Sequence, residues 1–247
     1  MKRIISALAL FAGCNLYAAT VLTVNWSAAT DNGIGLANGT PLAVGNEIRV
    51  GAFDFPDATL NADVQGFIAA GNLAGLASHF TLFDTAFIGT SAFAGNLGTV
   101  PLAQRGGLFE KTSGGVSVSS GSPIFSKQIF LWAFKTSGDN GVLGNFSNVT
   151  QTGIFSSNTA AWLFPADTNG PESRPIEITN LSDGAGSALA GTARIVTGGF
   201  ATSTVTLATG NNKVFTLSPV VPEPSTIALL IPGVIGLLGY RRLRRHS

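Results

Sequence analysis

Residues Gln128 to Phe134 read Gln-Ile-Phe-Leu-Trp-Ala-Phe, and no other run limits the fold of this chain as much. Successive side chains of a strand point to opposite faces, so Ile129, Leu131 and Ala133 line one face while Phe130, Trp132 and Phe134 line the other. Both faces are then apolar. A half-solvated strand alternates polar with apolar residues, whereas this one must be covered on both sides, which places it centrally in a sandwich. Such a strand supplies core and no chemistry.

The rest of the stretch from Thr20 to Pro219 fits a mainly β body. Gly, Ser, Thr, Asn and Phe are abundant, and charged residues make up 11% of the whole chain, as in all-β domains whose short strands alternate with turns. Further strands are expected at Val21 to Trp26, Glu47 to Phe53, Thr152 to Phe155, Ala161 to Phe164, Ile176 to Asn180, Ala193 to Val196, Ser203 to Leu207 and Lys213 to Leu217. Asp31-Asn32-Gly33, Asn38-Gly39, Asp139-Asn140-Gly141 and Gly198-Gly199 mark turns, because glycine takes positive φ without strain. Between Asp57 and Phe80 the spacing of Leu60, Val64, Phe67-Ile68, Leu73 and Leu76 is helical. It predicts one or two short helices, with Asn61 and Asn72 as N-caps and Gly71 as the break, packed against a sandwich edge. Gly98 to Pro123 is Gly/Ser-rich and reads as a mobile excursion or a weak hairpin. The expected architecture is a two-sheet β-sandwich of about nine strands with one or two short helices.

Few residues in this body suit catalysis. His79 is its single histidine, the other being His246 in the tail, which excludes a multi-histidine zinc site. His79 with Asp84 and a serine is a triad on paper only, since no Gly-x-Ser-x-Gly elbow accompanies it; a structural histidine is the favoured reading. Asp54 and Asp57 flank Phe55-Pro56, and Glu172 and Glu177 flank Arg174-Pro175, so both acid pairs read as solvated turn residues rather than glycosidase carboxylates. Asp31-Asn32-Gly33 and Asp139-Asn140-Gly141 lack the spaced oxygens of a calcium loop, and no glycine pair opens a phosphate-binding helix. No metal and no cofactor is expected. Trp162 reads as core; the alternative is an exposed platform for a sugar.

The ends carry a clearer message. Met1-Lys2-Arg3, the apolar Ile4 to Ala12 and the small Ala18 and Ala19 have the order of a secretory leader, residues 1–19. Phe11-Ala12-Gly13-Cys14 resembles a lipoprotein processing box, which leaves lipidation of Cys14 open; cutting after Ala18 or Ala19 would remove the chain's one cysteine. Residues 220–247 hold Pro222-Glu223-Pro224-Ser225, an uncharged run to Tyr240, then Arg241, Arg242, Arg244 and Arg245. The run falls short of the ~20 residues that normally span a bilayer, and Pro232-Gly233 interrupts it; snorkelling arginines and Tyr240 offset part of the deficit. The arginines form a basic stop that stays cytoplasmic, which puts the 20–219 body on the far side.

That order of motif, short helix and arginines resembles the PEP-CTERM sorting domain, over Val221 to Arg245. The body, through Lys127 to Phe134, Gly153-Ile154-Phe155 and Ala161 to Pro165, is similar to the functionally unassigned bodies of many PEP-CTERM proteins of environmental bacteria. The resemblance implies export, transient or permanent anchoring in the inner membrane, and a destination in the cell envelope, on the surface or in the extracellular matrix. It implies an exosortase-type membrane protease that recognises Pro222, Glu223, Pro224 and Ser225 and removes the helix and basic tail. Alternatives are a permanently anchored single-pass surface protein and a carbohydrate-binding or carbohydrate-active sandwich, with exopolysaccharide or other envelope components as partners.

Charge fits this reading. The whole chain has 14 basic and 13 acidic residues, but Lys2, Arg3, Arg241, Arg242, Arg244, Arg245 and Glu223 belong to the ends. The body keeps 8 basic and 12 acidic residues, a net of −4, which does not attract nucleic acid.

Overall fold

A computed structural model describes residues 20–28, 33–91, 97, 99–138, 145–158, 162–167, 174–178, 193–208 and 213–220. The expected leader with Cys14, the turns at Asp31-Asn32 and Asp139 to Gly141, Glu172, and the sorting segment from Pro222 to Arg245 lie outside those residues. In chain order the elements are β1 (Thr20–Ser27), β2 (Gly33–Gly35), β3 (Glu47–Phe53), α1 (Leu60–Ala69), α2 (Leu73–Ser78), β4 (Phe80–Phe87) and β5 (Glu110–Val118). They continue with β6 (Phe130–Thr136), β7 (Val149–Ser157), β8 (Arg174–Ile178), β9 (Ala193–Thr197), β10 (Gly199–Thr202), β11 (Lys213–Thr216) and β12 (Ser218–Pro219). The described residues are mainly β, with two short helices.

Strand β6 occupies the position its sequence demands. It lies inside a six-stranded sheet between β3 and β7; β4 forms one edge, and β9 and β12 share the other by pairing with different parts of β7. Leu131 and Ala133, with Ile129 just before the strand, join one apolar cluster; Phe130, Trp132 and Phe134 join another on the opposite face. All six are completely buried. The first cluster also contains Leu22 and Trp26 of β1 and Ile34 and Phe215 of β2 and β11, so two smaller sheets cover that face. These are β5-β1-β8 and β10-β11-β2, each with one antiparallel and one parallel pairing.

Three hydrogen-bonded sheets thus stand where two were expected. The smaller two are joined through residues 107–109, whose carbonyls at Gly107 and Phe109 accept from Ile34 and Ala28. Gly107, at φ +73°, turns the chain between these bonds and breaks the ladder, and a Cβ there would sit 2.7 Å from the Ile34 carbonyl oxygen.

The helices cover the other face of the large sheet rather than an edge. Leu60, Val64 and Ile68 of α1 and Leu73 and Leu76 of α2 pack on Phe53, Phe80, Phe130, Trp132, Phe134 and Ile154. Strands β3, β4 and β6 together present too much aromatic surface to leave wet, and burying it contributes ~25 cal/mol per Å². Asn72 caps α2 as expected, its Oδ1 accepting from Gly75 N at 2.7 Å, and Gly71 takes φ +71° at the break. Asn61 is no cap. Helix α1 starts after Thr59, and Asn61 Oδ1 accepts from Arg194 at 2.9 Å, tying the helix to β9.

Three further expectations are corrected. The Gly/Ser-rich stretch contains β5, which pairs along the whole of β1; its Gly114-Gly115 fall where the register shifts by one residue, the usual place for glycine in a bulge. Residues 162–164 form no strand: Trp162 and Phe164 are buried, and Leu163 makes an isolated bridge to Gln128. Ser203 to Leu207 is a loop after β10, anchored by buried Leu207.

Candidate functional site

The end of the body is clamped into the structure. Val214 packs in a small cluster with Leu97, Leu108 and Leu207, Phe215 and Leu217 in the cluster between the sheets, and Val220 against the helix-side cluster. The seven residues from Val214 to Val220 therefore touch all three apolar clusters of the described residues. They do so because β11 belongs to a small sheet and β12 to the large one, the crossing secured by Leu217 N to the Gly35 carbonyl at 2.8 Å. Ser218 and Pro219 pair with Thr152 and Gln151, and Val220 N donates to the Thr150 carbonyl at 2.9 Å. Proline suits this edge, where its missing N–H costs no ladder bond. Val220, two residues before Pro222, is thus bonded to β7.

A groove opens beside this exit point. Its volume is about 610 Å³, and Gly71 to Ala74, Phe146, Ser147, Val149, Thr150 and Val220 line it. Leu73 and Val149 form an apolar floor, while Asn72, Ala74, Ser147 and Thr150 are exposed on its rim. Phe146 is held by packing, its ring stacked on Trp132 with centroids 5.6 Å apart. On the same face the Arg49 guanidinium lies 5.5 Å from the Phe146 centroid and 5.6 Å from that of Phe134, with Nε bonded to Glu47 at 2.7 Å. A cation between two ring faces and a carboxylate fixes the wall beneath Phe146. A second depression of about 370 Å³ lies between Pro41, Gln104, Gly106 and the loop from Val205 to Ala208.

His79 is paired with Asp54, not with Asp84. Its Nδ1 lies 2.9 Å from Asp54 Oδ1, and its ring rests against Phe55 and Phe67 at 4.5 and 5.4 Å. The two residues meet because β3 and β4 are antiparallel neighbours, and Asp54 N also donates to the His79 carbonyl at 3.0 Å. Both side chains are substantially solvated, and among the described residues no hydroxyl is hydrogen-bonded to the imidazole. Asp84 instead binds Lys111 Nζ at 2.8 Å, the same ammonium reaching the Thr85 carbonyl, and so bolts β4 to β5. Asp57 is exposed at a turn, apart from this pair. Among the described residues no three His, Cys, Asp or Glu side chains come together as a metal site, and no helix is long and apolar enough to cross a membrane.

Trp162 is 2% exposed and belongs to the core, which removes it as a sugar platform. Sequence reasoning missed both the groove and the Asp54–His79 pair. Nothing in the local pattern joins Gly71–Ala74 to Phe146–Thr150, since a three-dimensional crossing of α2 over the β6–β7 connection brings them together. No family model, no curated protein and no solved structure matches the chain.

Proposed function

We propose that this is an exported protein of the cell envelope or extracellular matrix, with a structural or adhesive, non-enzymatic body carried by two removable ends. Residues 1–19 direct export. Pro222-Glu223-Pro224-Ser225, the short apolar run and Arg241, Arg242, Arg244 and Arg245 hold the chain at the inner membrane until an exosortase-type protease cuts it. The two small sheets are read as one layer of a β-sandwich whose other layer is the six-stranded sheet, with α1 and α2 on its outer face.

The observation that carries this reading is the residue order at the two ends of the sequence, on either side of the described strands. A basic Met1-Lys2-Arg3, the apolar Ile4 to Ala12 and the small Ala18 and Ala19 come before β1, and the motif, an uncharged run and Arg241, Arg242, Arg244 and Arg245 come after β12. Two prolines bracketing Glu223 favour an extended backbone just outside the membrane, the form in which a protease binds its substrate. The body itself devotes its large aromatic groups to packing, since Trp26, Trp132 and Trp162 are all buried.

The test replaces Pro222, Glu223 and Pro224 by alanine in cells that contain an exosortase-type protease. The full-length form is expected to accumulate in the membrane fraction. Normal loss of the tail from this variant would sink the sorting reading.

A further inference from the structure

Proteases that act on extended segments grip several residues on both sides of the scissile region. Here the residues on the body side of the motif are already committed: Leu217 is buried, Ser218 and Pro219 are paired, and Val220 is bonded to Thr150. At ~3.3 Å per extended residue, Pro222 can lie no more than about 7 Å from the Val220 position. A protease holding Pro222-Glu223-Pro224 must therefore meet the folded surface around Val220, where an ordinary substrate would offer more strand. The groove is that surface.

We infer that the groove between α2 and the Phe146–Thr150 segment is a docking surface for the extracytoplasmic face of the membrane protease that processes the tail, an assignment that rests on the sorting reading above. Val220 forms one wall, and the motif begins two residues further along the chain. Its apolar floor and uncharged rim suit a protruding apolar side chain or loop of the protease better than a charged one. The wall does not need to be ordered on binding, because Phe146 is already stacked on Trp132 and backed by Arg49. The protease thus reads a folded surface as well as a linear motif, which would restrict cutting to chains whose body has finished folding.

The experiment follows tail loss in cells carrying the protease, by pulse-chase and intact mass, for the full-length chain and three variants. A74R/S147R places two cations on the exposed rim of the groove; V205R places one on an exposed position by the other depression and serves as the control. The third variant adds a six-residue Gly/Ser insert between Val220 and Val221 to A74R/S147R, giving ~12–15 Å of extra mean reach. Thermal midpoints establish that each variant is folded. The expected result is tail loss slowed about tenfold or more in A74R/S147R, the equivalent of ~1.4 kcal/mol of lost contact, and unchanged in V205R. The inserted linker should relieve the slowing, since the body then need not meet the protease. Processing of A74R/S147R at the wild-type rate would overturn the docking surface while leaving the sorting reading intact. Equal slowing with the linker present would overturn it too, as would groove-dependent binding of the processed body to protease-free vesicles of the host's lipids, which would assign the groove to the bilayer. An intact tail on the wild-type chain would overturn the sorting reading and the docking surface with it.

Discussion

Replacing Leu217 by alanine tests whether the end of the body is clamped. Leu217 is 1% exposed and lies between the sheets, where an ideal Cβ at Gly153 would stand 2.7 Å from its Cδ2. The leucine thus fills the space that Gly153 leaves, and glycine has no side chain with which to refill it. Truncation removes three buried carbons, worth ~2.4 kcal/mol at ~0.8 kcal/mol each. Incomplete collapse of the vacated volume adds about 1 kcal/mol, for a loss of about 3–4 kcal/mol, within the ~2–5 kcal/mol range of buried leucine truncations. Urea unfolding followed by tryptophan fluorescence is the assay, because all three tryptophans are buried and will report loss of packing. With a urea dependence of ~2–3 kcal/mol per molar, the midpoint should fall by about 1–2 M at unchanged slope. Val205→Ala, at an exposed position, should stay within ~0.5 kcal/mol of wild type. If L217A were no less stable than V205A, the C-terminal strand would not be anchored in the core, and the argument that the tail leaves from a fixed point would fail.

Other substitutions probe the remaining joints. At Gly51 an added Cβ would meet the Thr81 carbonyl oxygen and lie 2.7 Å from the Phe80 ring, so Gly51→Ala should cost about 3 kcal/mol or more, or abolish soluble expression; an unchanged urea midpoint would contradict the close approach of β3 and β4. Lys111→Met strips a half-buried partner from Asp84 and the Thr85 carbonyl and should cost ~1–3 kcal/mol by the same measurement. His79→Gln breaks a solvated pair and should cost less than ~1 kcal/mol, measured as a small shift in thermal midpoint; a large loss would show that the ring's contacts with Phe55 and Phe67 carry more of the packing than its exposure indicates.

The sequence speaks plainly where pattern and structure share a period. Strand β3 has the limits expected for it, and the double-faced run at Ile129 to Phe134 is central and buried on both sides as its alternation requires. Helix α2 carries the cap that Asn72 signals. Strand β4 shows how a period is lost. Its register against β3 shifts between Val50 and Gly51, which pair with Asp84 and Leu82, so Phe83 is an extra residue. Phe80 and Phe83 lie on opposite faces by ordinary alternation, but the extra residue brings Ala86 onto the face of Phe83, and the apolar spacing of three through Phe80, Phe83 and Ala86 disguises a strand. Strand β5 is hidden in the same way by the glycines at its bulge. The helices lie over the sheet face rather than the expected edge because Phe53, Phe80 and Phe130 together present aromatic surface there, and that shared face exists only once β3, β4 and β6 are paired. The groove was less legible still, because its two walls are more than seventy residues apart and neither carries a motif.

The central question is whether the end of the chain is an address that is removed once read. Intact-mass measurement of the mature protein, purified from cells that contain the exosortase-type protease, addresses this directly. The account predicts a mass lacking both the leader and the helix with its arginines, ending close to the Pro222-Glu223-Pro224 motif and retaining β12. A mature mass that still includes Arg241 to Arg245 would contradict it and leave the chain a permanently anchored protein.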